Sequence, residues 1–95
     1  MMEIQNENDG ILVKVKFASY LKELIGKSVI ELKLSENTSV GELIDILKEK
    51  WPFIKKIDIE GEGPIILLLN NKPTSRIEKL KYGDEIEIIP PAIGG

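Results

Sequence analysis

Residues 39–52 specify a helix from local chemistry alone, and that helix restricts what the rest of the chain can build. Ser39 and Glu42 stand three positions apart. The Ser39 hydroxyl is placed to accept the Glu42 backbone N–H. The Glu42 carboxylate is placed to accept the Ser39 N–H in return, which makes a capping box. Val40, Leu43, Ile44 and Leu47 follow at i, i+3, i+4 and i+7 and form one apolar stripe. Pro52, next after Trp51, is expected to end the helix. A helix with one apolar stripe needs one apolar surface to lie on.

The flanking segments have the period of strands. "ILVKVKFA" at 11–18 puts Val13, Val15 and Phe17 on one face and Lys14 and Lys16 on the other. "SYLKELIG" at 19–26 reads as a short helix, with Tyr20, Leu21, Leu24 and Ile25 at helical spacing and Gly26 as its stop. "SVIELKL" at 28–34 alternates again, with Ile30, Leu32 and Leu34 opposite Val29, Glu31 and Lys33. Residues 53–64 read as a connector, because Gly61, Gly63 and Pro64 break regular structure. "IILLLNN" at 65–71 reads as a strand that is apolar on both faces. Residues 72–84 are irregular, with a short strand or 3₁₀ turn near 77–80. Gly83 and Asp84 turn the chain into "EIEII" at 85–89. Pro90 and Pro91 then stop ladder pairing.

This order predicts a two-layer α+β domain, with a mixed sheet of four or five strands on one main helix. The first two strands pair as a hairpin-like unit, and the last lies beside the first. The expected divisions are a leader at 1–10, the domain at 11–90 and a flexible tail at 91–95.

Composition removes whole classes of function. Ninety-five residues support a single core. The net charge of −3 gives no basic field to draw nucleic acid. The longest apolar run, "IILLL" at 65–69, falls far short of the roughly 20 residues a membrane span needs. The polar start "MMEIQNENDG" lacks a signal-peptide pattern. A cytoplasmic protein with no nucleic-acid or membrane partner is expected. Cysteine and histidine are both absent. Disulfides, thiolate nucleophiles and imidazole bases are therefore excluded, and no metal site is expected. Asp84 and Glu85 point apart, so they are not a paired-carboxylate site; Asp84 is expected to accept turn N–H groups. Arg76, the single arginine, is expected at the surface.

The remaining pattern carries a resemblance. "KFASYLKELIG" at 16–26, "NN" at 70–71, then Leu80 with Gly83-Asp84-Glu85, and finally Pro90-Pro91 followed by Gly94-Gly95, together resemble the MoaD/ThiS-type sulfur carriers. These are ubiquitin-like β-grasp proteins, and the similarity is greatest to the MoaD branch, the small subunits of molybdopterin synthase. It covers 11–95.

The resemblance implies that the carboxylate of Gly95 is the working group. A ubiquitin-activating-like adenylyltransferase of the MoeB type would adenylate it with ATP. A sulfur donor would then convert it to a thiocarboxylate, and the large synthase subunit, of the MoaE type, would receive the tail. The chain itself would bind no cofactor and would not be catalytic alone. Pro90, Pro91, Ala92, Ile93 and Gly94 would form the inserted tail. Glycine lets the last residues follow a narrow channel, and the prolines reduce the conformational freedom lost on insertion. Five residues beyond Pro90 reach roughly 15–18 Å when extended.

A docking patch follows from strand alternation. If Leu67, Leu69, Ile86 and Ile88 face the core, then Ile66, Leu68 and Ile89 face away from it. The alternative is that 53–64 folds over these three as additional core. Three other functions stay open for the tail. These are the tail of a carrier serving thiamine thiazole or tRNA thiolation, the tail of a modifier joined to lysines of other proteins, and an idle tail on a plain interaction domain.

Overall fold

The computed structural model describes residues 10–60 and 64–92. Its elements run β1 (Gly10–Phe17), α1 (Tyr20–Ile25), β2 (Val29–Ser35), α2 (Val40–Lys50), α3 (Pro52–Glu60), β3 (Ile66–Leu69), β4 (Lys72–Pro73) and β5 (Glu85–Ile89). The five strands form one mixed sheet in the order β2-β1-β5-β3-β4. β1 and β2 are antiparallel, as a hairpin-like unit requires; β5 lies beside β1, as expected, and runs parallel to it.

The helices cover one face of this sheet. Val13, Val15, Phe17, Ile86, Ile88 and Leu69 from the strands and Val40, Leu43, Ile44 and Leu47 from α2 belong to a single buried cluster. At roughly 25 cal/mol per Å² of apolar surface removed from water, these side chains supply most of the drive to fold. Phe17 meets Trp51 edge-on, with ring centroids 5.8 Å apart, and so joins β1 to the end of α2.

The capping box forms at both of its bonds. The Ser39 N–H donates to Glu42 Oε1 at 2.8 Å, and the Glu42 N–H donates to Ser39 Oγ at 3.1 Å. The irregular stretch after β4 completes the cap. The Val40 N–H donates to the Glu78 carbonyl and the Gly41 N–H to the Arg76 carbonyl, at 2.8 and 2.9 Å. The donors of α2's first turn are thereby satisfied. Gly41 is required here, because a Cβ would stand 3.0 Å from the Arg76 Cβ and 3.1 Å from its carbonyl oxygen. Replacing Ser39 with Ala should cost about 1 kcal/mol of stability in a urea titration, with Glu42→Ala costing less.

Four sequence expectations need correction. Residues 52–60 are helix, not connector. Pro52 ends α2 and also begins α3, because the first helical position needs no N–H and suits proline's fixed φ. Ile54 is buried, and Phe53 and Ile57 pack on the core. The sheet therefore carries two long helices on that face. Second, 72–73 pair with β3 as a short hairpin. Asn70 and Asn71 both have positive φ, 51° and 70°, the geometry of a type I′ turn, which asparagine tolerates. Third, residues 77–80 hold a single bridge, Ser39 to Lys79, rather than a strand or 3₁₀ turn. Fourth, Leu24 is 55% exposed and does not join the core stripe of α1. At the N-terminal boundary, β1 starts at Gly10, one residue inside the expected leader.

Candidate functional site

The site is built around the end of β5. Ile66 of β3 stands directly opposite Ile89 of β5, and Leu67 opposite Ile88. Side chains alternate faces along a strand, so the buried Ile86, Ile88 and Leu69 leave Ile66, Leu68 and Ile89 on the opposite face. Ile66 is 52% exposed, while Leu68 and Ile89 are half-buried. Phe53, Ile54 and Ile57 of α3 pack on the helix-side core instead. Charged residues continue the same face: Glu87 lies opposite Leu68, and Lys16 makes an ion pair with Glu85 at 3.1 Å. That pair is well exposed and adds little stability. The arrangement is an apolar corner beside a charged field.

A hydrogen-bonded turn fixes where β5 begins. Asp84 accepts the Lys81 N–H at 2.8 Å and the Asn70 side-chain amide at 3.0 Å. Asn70 in turn accepts the Glu85 N–H at 3.0 Å and donates its own N–H to the Glu85 carbonyl at 2.8 Å. The Gly83 N–H donates to the Leu12 carbonyl, and the Lys14 N–H to the Asp84 carbonyl. Gly83 has φ 87°, which a Cβ would oppose. The Gly-Asp-Glu turn thus locks the register of β5 against both neighbours. A one-residue slip would move Ile89 to the other face.

The end of β5 leads straight into the tail. Pro90 and Pro91 are buried, and Ala92 is exposed. The Tyr20 hydroxyl donates to the Pro91 carbonyl oxygen at 2.5 Å. Pro91, expected in the flexible tail, is therefore held by the domain. The other tail residues expected to act, Ile93, Gly94 and Gly95, lie outside the described residues. Sequence reading assigned Tyr20 only to a helical stripe. Its partner is 71 positions away, and no local pattern signals the pairing.

Burial pushes the Tyr20 phenol above its ordinary value near 10. Below about pH 10 the phenol is neutral in both folded and unfolded chains, and its contribution to stability is fully present. As pH rises through the folded-state value, the unfolded chain releases its proton more readily and that contribution is lost. The melting-temperature gap between the parent and Tyr20→Phe should therefore be constant from pH 7 to 9 and narrow above pH 10.

Arg76 donates to Asp45 and to the Gly41 carbonyl, at 3.2 and 3.3 Å, and so rests against α2. Among the described residues no group of three carboxylates is placed to hold a metal ion, and no helix is long and apolar enough to cross a membrane.

Comparison with known proteins decides the family. The sequence model of the ThiS family matches residues 15–95. The chain belongs to the ThiS family. Among curated relatives, a molybdopterin synthase sulfur carrier subunit of Dictyostelium discoideum is 37% identical, over 86% of this chain and 94% of its own. One of the same description from Arabidopsis thaliana is 26% identical, over 95% of this chain and 90% of its own. Solved structures agree on the ubiquitin-like β-grasp. A putative molybdopterin converting factor subunit 1 from Pyrococcus furiosus superposes with a TM-score of 0.75 at 27% identity, covering 86% of this chain and 99% of that one. The small archaeal modifier protein 1 of Methanosarcina acetivorans gives 0.70 at 30% identity, covering 90% and 98%. A chain from the complex of molybdopterin-converting factor subunits 1 and 2 of Helicobacter pylori gives 0.59 at 27%, covering 90% and 100%.

Proposed function

We propose that this ThiS-family chain is the sulfur carrier of a molybdopterin synthase, charged at Gly95. The observation that carries the reading is the 37% identity to a molybdopterin synthase sulfur carrier subunit across most of both chains. The geometry supports it. The apolar corner of Ile66, Leu68 and Ile89 lies beside the point where the chain leaves β5, so one partner can hold the sheet face and take the tail together. With Pro91 held by the domain, a fully extended stretch of four residues such as 92–95 would reach roughly 13–14 Å. That is enough to carry an end group into a neighbouring active site.

The chemistry assigned to Gly95 needs no side chain of the carrier. A carboxylate is a poor electrophile at neutral pH. One of its oxygens attacks the α-phosphate of ATP on an activating enzyme, forming an acyl-adenylate and releasing pyrophosphate. A hydrosulfide-level sulfur nucleophile then attacks the acyl carbon, and AMP leaves with the displaced oxygen. Within the large subunit the thiocarboxylate sulfur bonds to a carbon of a pterin precursor and displaces an oxygen leaving group; water then cleaves the acyl–sulfur bond, leaving the sulfur on the pterin and restoring the carboxylate. The carrier contributes an end group, a stiff approach and a docking face.

The test is co-expression with a MoaE-type large subunit and a MoeB-type adenylyltransferase. The expected result is a stable complex with the large subunit and ATP-dependent charging of Gly95. Failure to form either assembly would refute the assignment. The likeness to a small archaeal modifier protein at 30% identity favours one second reading, attachment of Gly95 to lysines of other proteins. Lysine-linked adducts would accumulate in that case.

A further inference from the structure

The Pro90-Pro91 pair raises a problem of anchoring. Proline has no backbone N–H, so neither residue can donate to a neighbouring strand. Their carbonyls are the only polar groups left to hold them, and both residues are buried. One of those carbonyls, that of Pro91, accepts the Tyr20 hydroxyl at 2.5 Å. The next residue, Ala92, is exposed. Tyr20 therefore grips the last buried residue before the tail.

The approach to Tyr20 is itself unusual. Ser19 has φ 57° and ψ −139°, a conformation that serine seldom adopts, and its side chain makes no capping bond to α1. The backbone is held there by neighbours: the Ala18 N–H donates to the Ile88 carbonyl at 3.0 Å, and the Phe17 N–H to the Ser28 carbonyl at 2.9 Å. A strained, uncapped helix start persists only where surrounding structure enforces it, and such positions cluster where geometry serves a task. Here the tight turn between β1 and α1 sets Tyr20, the first residue of α1, against the end of β5, to which β1 is paired.

We propose that Tyr20 is a positioning residue for the C-terminal segment. Its hydroxyl, bound to the Pro91 carbonyl, fixes the point and direction from which Ala92 leaves the domain. The tail then starts from one defined origin beside the apolar corner. A partner that engages both has less freedom to remove on docking. The geometric half stands on the hydrogen bond alone, whereas the consequence for docking rests on the carrier reading above.

Tyr20→Phe keeps the ring and deletes the hydroxyl, which makes it the discriminating variant. In nuclear relaxation measurements on the free protein, the Ala92 amide should become more mobile while core amides stay unchanged. In adenylation assays with the activating enzyme, KM for the carrier should rise about three- to ten-fold, the value of one hydrogen bond, with kcat unaltered. An unchanged Ala92 amide overturns the proposal, and so does a looser Ala92 with unchanged KM. A fall in kcat alone also overturns it. The unmodified protein supplies a check that no folding defect can obscure: nuclear Overhauser contacts should join the Tyr20 ring to Pro91 and Ala92, and their absence overturns the proposal. If neither protein is adenylated, the carrier reading fails while the mobility of Ala92 still decides the role of Tyr20.

Discussion

Deletion of Gly94 and Gly95 should abolish charging of this protein altogether while leaving its melting temperature unchanged. The two halves of that result have different causes. The fold rests on the cluster that joins Val13, Val15, Ile86 and Ile88 to Leu43 and Leu47, and neither Gly94 nor Gly95 belongs to it. The last described anchor is the Pro91 carbonyl. On the proposed reading, in contrast, charging works through the acyl carbon of Gly95. The deletion leaves the terminal carboxylate on Ile93 instead, two residues short of its place and on a β-branched residue that a channel fitted to glycine excludes. Adding a single residue after Gly95 should be as damaging as the deletion, because the reactive group moves beyond the glycine that has to enter the channel. A deletion variant that still charges would show that the reactive carbonyl is elsewhere.

The second large effect belongs to the apolar corner. Ile66→Lys combined with Ile89→Glu should weaken binding to the large synthase subunit about a hundredfold or more, since truncating central apolar anchors commonly costs 2 kcal/mol or more each. The two positions face each other across β3 and β5, so the introduced charges are opposite and adjacent. Their attraction offsets part of the lost strand propensity, and the melting temperature should fall only slightly. Calorimetric titration of the free large subunit measures the first quantity, and thermal unfolding the second. Full affinity in the double variant would move the interface off this face.

Much of this molecule can be read along the chain, and what cannot has a common cause. The alternation in β1 and β2 survives intact because each strand buries one face, so position in the sequence dictates position in the core. The Ser39–Glu42 cap and the stripe behind it are local, and they form as their spacing requires. The outward placement of Ile66, Leu68 and Ile89 followed from the same period of two. Local reading failed where one residue serves two elements. Pro52 stops α2 and starts α3, and a stop signal alone hides the apolar spacing of Ile54 and Ile57 that follows it. Asn70 and Asn71 read as a loop, although their tolerance of positive φ is what allows the two-residue hairpin. The grip of Tyr20 on Pro91 had no sequence signal at all. A tyrosine in a helical stripe looks apolar, and only the parallel pairing of β1 with β5 brings the two ends together. The same holds for Arg76 and Glu78, whose carbonyls complete the α2 cap from across the fold.

The most direct test of the account is the intact mass of this protein isolated from cells that are making molybdopterin. The account predicts a second species heavier by the difference between a sulfur and an oxygen atom, with the added mass confined to the C-terminal peptide that ends at Gly95. A carrier found only as the free carboxylate, or found joined through Gly95 to lysines of other proteins, would contradict it.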